Sequence, residues 1–197
     1  MSSPYSTCLS AIDAAHSLDP TTHTLPDGTT IPYELHYAQK CTSYLQKLTS
    51  TPSEPLSLAT RAQHFRRWEI PRSSYPLTRI GYHSWRSALK TRQASLVHTI
   101  CLDSGYPQEI ADRVASLIRK EDMKSDAEAQ MVEDVACLVF LDDQFEAFEK
   151  GHDEEKIIGI LRKTWGKMSE EGRRLALGIG MSERARGLVG RALGEKE

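Results

Sequence analysis

Val135–Leu141 reads VACLVFL, a run without one polar side chain that follows directly on Glu133 and Asp134. A helix that is apolar on every side has to be covered on every side. The run is therefore expected to lie in a central, buried helix that begins near Asp126. A carboxylate on such a helix costs on the order of several kcal/mol unless a cation, a metal or several donors compensate it. Adjacent positions differ by about 100° around a helix, so at least one of Glu133 and Asp134 has to face protein. Pairing with an Arg would make it a structural salt bridge; joining other polar residues would make it part of a site.

Working outward, apolar residues recur mostly at helical spacing. SPYSTCLSAIDAAHSLDP predicts a first helix with Leu9, Ile12, Ala15 and Leu18 spaced along it, stopped at Pro20. LPDGTTIPYE reads as a turn from its Pro-Asp-Gly chemistry. A second helix is expected from about Pro32 to Leu48, with Leu35, Ala38, Leu45 and Leu48 inward, and a third from about Glu54 to near Trp68. A long fourth helix should span about Thr78 to Leu102, and a fifth Pro107 to Lys120 with Ile110, Val114 and Leu117 inward. Shorter amphipathic helices follow in the last third, where Ser169 before Glu170 and Glu171 has the chemistry of a helix cap. No strand is expected. The chain reads as one all-α domain over residues 1–197, a helical bundle whose helices from about 153 to 193 pack as an extension.

Composition narrows the function. The chain has 197 residues, 39% hydrophobic and 26% charged, which is ordinary globular usage. A net charge of −2 is far from what general electrostatic attachment to nucleic acid requires. Any anion recognition is therefore local. Cys8, Cys41, Cys101 and Cys137 form no CxxC pair, so they read as reduced thiols of a cytoplasmic protein. No membrane association is expected, because no run of 18 apolar residues occurs.

Chemistry concentrates in four places. RAQHFRRWEIPRSSYP (Arg61–Pro76) puts His64, Arg66, Arg67, Glu69, Arg72 and Tyr75 where a connector would normally carry Gly, Ser, Asn and Asp. Arginine forks suit phosphate or carboxylate, and histidine moves protons near neutrality. In RIGYHSWRSALK, Tyr82, Arg86 and Lys90 share a helix face. LIRKED supplies Arg119, Lys120 and Glu121, and the fourth place is the Glu133–Asp134 pair.

Together, RAQHFRRWEIPRSSYP, GYHSWRSALK, SLIRKE and EAQMVEDVACLVFL resemble the domain-of-unknown-function family 4202 over most of the chain, roughly residues 8 to 192. More distantly, the helix order is similar to the HD superfamily of metal-dependent phosphohydrolases. Glu34, His36 and Tyr37 fall on the early helix, His64 ends the next, and Asp134 enters the apolar one. His64 is followed by Phe65, so the His-Asp doublet of that superfamily is absent. The likeness implies an HD-like fold and a divalent metal (Mn, Mg or Fe) on His64 and Asp134.

Two functions fit these residues. One is a hydrolase or related enzyme for a small anionic substrate, a phosphate ester or nucleotide-like molecule. Its catalytic residues would be His64, Glu69, Glu121 and Asp134, and its substrate-binding residues Arg66, Arg67, Arg72, Tyr75, Tyr82, Lys90, Arg119 and Lys120. The other is a helical module that binds a nucleotide, a phosphorylated metabolite or an RNA end without turnover. Both need the Arg-rich corner after helix three to lie beside the acidic start of the apolar helix.

Overall fold

The computed structural model describes residues 2–194. The first helix, α1 (Pro4–His16), starts where the Ser3 hydroxyl accepts the Ser6 N–H, and it buries Cys8, Ile12 and His16. That inward face is turned by about one position from the expected one, and Leu18 is left exposed. Next comes a feature the spacing did not predict. Thr22–Thr24 (β1) and Thr30–Pro32 (β2) pair as an antiparallel ribbon, with Thr22 opposite Pro32 and Thr24 opposite Thr30. The Pro-Asp-Gly turn forms as expected; three residues on each side are too few to show alternation.

Helix α2 (Tyr33–Leu48) has no side-chain cap from Pro32. Asp19 supplies it instead: its buried carboxylate accepts the N–H groups of Thr21 and Glu34, each at 2.9 Å. The inward face of α2 runs through Glu34, Tyr37, Ala38, Cys41 and Leu45. Helix α3 (Glu54–Arg61) is capped by Ser53 and stops well short of Trp68. Short turns of 3₁₀ helix follow at Arg67–Glu69 and Arg72–Ser74. Helix α4 (Arg79–Asp103) is opened by Thr78, whose hydroxyl accepts the Gly81 N–H. A side chain at 81 would collide with the Pro76 carbonyl oxygen, so glycine lets the 71–78 loop fold onto the start of α4. Helix α5 (Gln108–Arg119) buries Val114 and Leu117 and ends at Lys120 in a left-handed conformation.

Contacts divide the chain into two units, one ending at Val132 and one starting at Glu133. In the first, α4 packs on α5 and α1, while α3 packs on α5, α2 and α1. Helix α6 (Ala127–Val139) carries the chain from the first unit into the second. Val135, Leu138, Val139 and Leu141 are buried as the apolar run requires. The second unit continues through a π-turn at Phe140–Gln144 into α7 (Phe145–Glu149), α8 (Glu154–Lys167), α9 (Glu170–Leu177) and α10 (Glu183–Leu193). There α8 packs on α10, the Arg191 guanidinium pairs with Glu154, and Arg184 pairs with the buried Glu149. Apart from the ribbon the fold is all-α, and among the described residues no helix is long and apolar enough to cross a membrane.

Asp126 fixes the start of α6. It accepts the N–H groups of Glu128 and Ala129, and Arg113 on α5 donates to both of its oxygens. The Arg113 hydrogen bond is the main reason that its carboxyl falls from 3.8 to about 2. The unfolded chain binds this proton first as pH falls, so the stabilisation is complete above about pH 5 and lost between about pH 4 and 2. With Arg113 partly in water, about 1–2 kcal/mol is at stake. Asp126→Asn should therefore lower urea-unfolding stability at pH 7 by that amount and by much less at pH 2.5.

Candidate functional site

The early end of α3 has a cause. Glu34, in the first turn of α2, is 4% exposed and aims its carboxylate at the backbone beyond α3. One oxygen accepts the N–H groups of Arg67 (2.6 Å) and Trp68 (3.1 Å), and the other accepts that of Arg66 (2.9 Å). In a continued α3 these N–H groups would be bonded within the helix, so they reach Glu34 only because the chain leaves the α conformation. It does so through left-handed residues at His64 (φ 62°) and Arg66 (φ 49°). The helical period of the sequence runs through this corner without a break; a buried carboxylate from another helix overrides it. His16 backs the pin, with Nδ1 3.4 Å from Glu34 and Nε2 3.0 Å from the Arg61 carbonyl.

The pinned corner presents His64 and Arg67. The His64 ring stacks on Tyr37 with centroids 4.0 Å apart. Its Nε2 lies 2.7 Å from Arg67 Nη1. A guanidinium has only donors, so Nε2 accepts and the proton of the neutral ring sits on Nδ1. Burial holds the His64 pKa well below its ordinary value, and the charges of Arg67, Lys120 and Arg86 push the same way. Arg67 lies over the Trp85 ring at 4.8 Å, and burial lowers its own pKa as well. Among the described residues no carboxylate forms an ion pair with the Arg67 guanidinium. The Trp68 indole N–H in the same loop is buried without an acceptor.

The other expected site residues divide. Arg66 and Arg92 both donate to Glu69; burial raises that carboxyl, but these bonds outweigh it and leave its pKa lowered. Arg72 staples its own loop through the carbonyls of Tyr75 (2.9 Å) and Pro76 (2.7 Å) and faces the Tyr82 ring. Tyr82 accepts from Arg86 at 3.2 Å, and Lys90 is half-buried further along α4. Arg119 pairs with Glu121 at 2.5 Å near the surface, while Lys120 adds its charge to the His64 environment. An open groove along α4, lined by Ser84, Ser87, Thr91 and Arg92, includes neither His64 nor Arg67.

Asp134 belongs to the second unit and caps α9. Its oxygens accept the Ser169 N–H (2.8 Å) and hydroxyl (2.5 Å), and the same hydroxyl accepts the Gly172 N–H. A side chain on Gly172 would come within 2.8 Å of the Asp134 carboxyl carbon. Neighbouring Glu133 lies 3.3 Å from Lys167. The buried acid is thus met by donors at a helix start. Among the described residues no group of three or more His, Cys, Asp or Glu side chains is placed to hold a metal ion. With Arg67 on His64 and Ser169 on Asp134, the residues expected to ligate a divalent cation do not fit one as they stand.

Glu34, Tyr37 and Trp85 build the cluster, yet no local motif marks them as site residues. A signal for Glu34 exists: it shares the face of Tyr37, Ala38, Cys41 and Leu45, a carboxylate on an apolar stripe. Glu34→Gln replaces one acceptor with a donor that faces backbone N–H groups, a loss of about 2–3 kcal/mol. It should lower the melting temperature and speed amide exchange at Arg66, Arg67 and Trp68. At the other carboxylate, Asp134→Ala strands the Ser169 N–H and should cost about 2 kcal/mol, whereas Asp134→Asn keeps an acceptor for it and should cost less than half as much. Thermal unfolding of the pair reads that order.

No curated protein and no solved structure matches the chain. The model of the family described as a domain of unknown function (DUF4202) matches residues 6–189. That span takes in the pinned corner, the cationic cluster and the capped α9, and the chain belongs to this family.

Proposed function

We propose that the chain binds a small phosphate-bearing molecule at the cluster of His64, Arg67, Arg86 and Lys120, and hydrolyses its phosphate ester. The observation that carries this is Arg67, a half-buried cation that faces a neutral imidazole and an indole with no carboxylate in ion-pair contact. A cation held in this way gains most from an anionic ligand, with which its fork makes two charge-assisted hydrogen bonds. Burial is the main cause of the depressed His64 pKa, and the charges of Arg67, Lys120 and Arg86 add to it. The exposed Tyr82 ring adds flat apolar surface for the remainder of a nucleotide-like ligand.

Chemistry follows from an exchange of partners. When Arg67 turns from His64 to the phosphate, the Nε2 lone pair is released, and the new negative charge raises the imidazole pKa toward neutrality. A water that attacks phosphorus gives its proton to Nε2. The ester P–O bond breaks, and that proton passes to the leaving oxygen. Arg67, with the charges of Arg86 and Lys120, stabilises the charge that builds on the phosphoryl oxygens. Without the exchange, Nε2 stays occupied, and the same cluster is a binding module for nucleotides or phosphorylated metabolites. The four free thiols, all buried, suit a reducing cytoplasm.

Inorganic phosphate and adenosine monophosphate, tested at matched ionic strength, should raise the melting temperature; a ligand at a hundred times its Kd stabilises by about 2.7 kcal/mol. Arg67→Ala should remove that shift. Phosphate release from a panel of phosphomonoesters should be lost in His64→Ala, while that variant still binds inorganic phosphate. Binding without release in the unaltered chain would identify the module, and no shift with any phosphate compound would overturn the assignment.

A further inference from the structure

The first unit holds a pair of thiols that the anion site does not use. Cys8 on α1 and Cys101 on α4 are separated by 93 positions in sequence, yet their Sγ atoms are 3.7 Å apart and both residues are 0% exposed. The other two cysteines have different neighbours: Cys137 directs its sulfur to the Thr164 carbonyl at 3.9 Å, and Cys41 lies beside the Tyr37 hydroxyl. Disulfide sulfurs lie about 2.05 Å apart. The pair is thus about 1.7 Å short of a bond.

We propose that Cys8 and Cys101 are a redox-modification site, which forms an internal disulfide with a low-molecular-weight disulfide oxidant of the glutathione class. Two thiols in contact inside an apolar packing are chemically poised in a way that either thiol alone is not. Either S–H can donate to the other sulfur, so the contact stabilises whichever thiolate forms. Cys8 is the sulfur that opening of a helix end uncovers, and it is the one that attacks. It lies in the second turn of α1, where Ser2, Ser3 and Pro4 are exposed, so local opening of that end admits the oxidant.

The exchange balances. The Cys8 thiolate attacks one sulfur of the oxidant, whose S–S bond breaks and releases one thiol, leaving a mixed disulfide on Cys8. Cys101 then gives up its proton and attacks the Cys8 sulfur, which expels the second thiol. Two cysteine thiols are oxidised, one oxidant disulfide is reduced to two thiols, and the two protons end on those thiols. The product ties α1 to α4. This step is independent of the phosphate chemistry and stands or falls without it.

The test uses the full chain with oxidised glutathione. Thiols titrated in denaturant should fall from the four present to two, and a non-reducing digest should show the Cys8 peptide joined to the Cys101 peptide. Dithiothreitol should restore all four. The double variant Cys41→Ser/Cys137→Ser should still form the link, and Cys8→Ser should not. Retention of four thiols under conditions that open α1 would overturn the proposal, as would a lasting glutathione adduct without the link, or a link between other cysteines.

Discussion

One buried carboxylate shapes the corner on which the site depends. Glu34 draws to itself three successive backbone N–H groups that an uninterrupted α3 would have bonded within the helix. The chain therefore leaves the α conformation, passes twice through the left-handed region at non-glycine positions, and emerges with the His64 ring against Tyr37 and the Arg67 fork against that ring. Left-handed backbone costs a histidine or an arginine about 1 kcal/mol or more. The charge-assisted hydrogen bonds to Glu34 offset it. Each part of this arrangement would be unfavourable alone: a buried acid, a strained corner, an arginine without a counter-ion. Together they compensate one another.

What the chain reveals before folding follows from how far each interaction reaches along it. Helices α2, α4 and α5 lie where their apolar spacing puts them, and the run after Asp134 is buried because no side of it suits water. Ser53, Thr78 and Ser169 cap the helices that follow them, since capping is decided within four residues. The ribbon around Gly28 is too short to carry a period. The end of α3 is decided by a residue more than thirty positions away, so no window along Arg61–Trp68 contains the reason. His64 and Arg67 were legible as unusual residues for a connector, whereas their neutral-imidazole-to-guanidinium contact is a product of the fold.

Electrostatics sorts the charged residues by role. Glu69, Glu121, Asp126 and Glu128 each hold an arginine in place, and partly exposed pairs of this kind contribute modestly to stability. Arg72 works on the carbonyls of its own loop. Arg67 differs because its contacts are uncharged. The aromatic surfaces beside it lower the local dielectric response, which raises the gain from bringing in an anion above what a water-exposed arginine offers.

The contact between Asp134 and Gly172 has a bearing on how this sequence can drift. The carboxyl group occupies the volume that any Cβ at position 172 would need, so glycine is required at 172 while 134 carries that carboxyl in place. An alanine at 172 needs that carboxyl to move or a shorter residue at 134, and a shorter residue removes the acceptor of the Ser169 N–H while Ser169 still caps α9. The constraint therefore has an order: 134 can shorten while 172 stays glycine, whereas a side chain at 172 has to follow a change at 134, a dependence carried by one side chain and the absence of another.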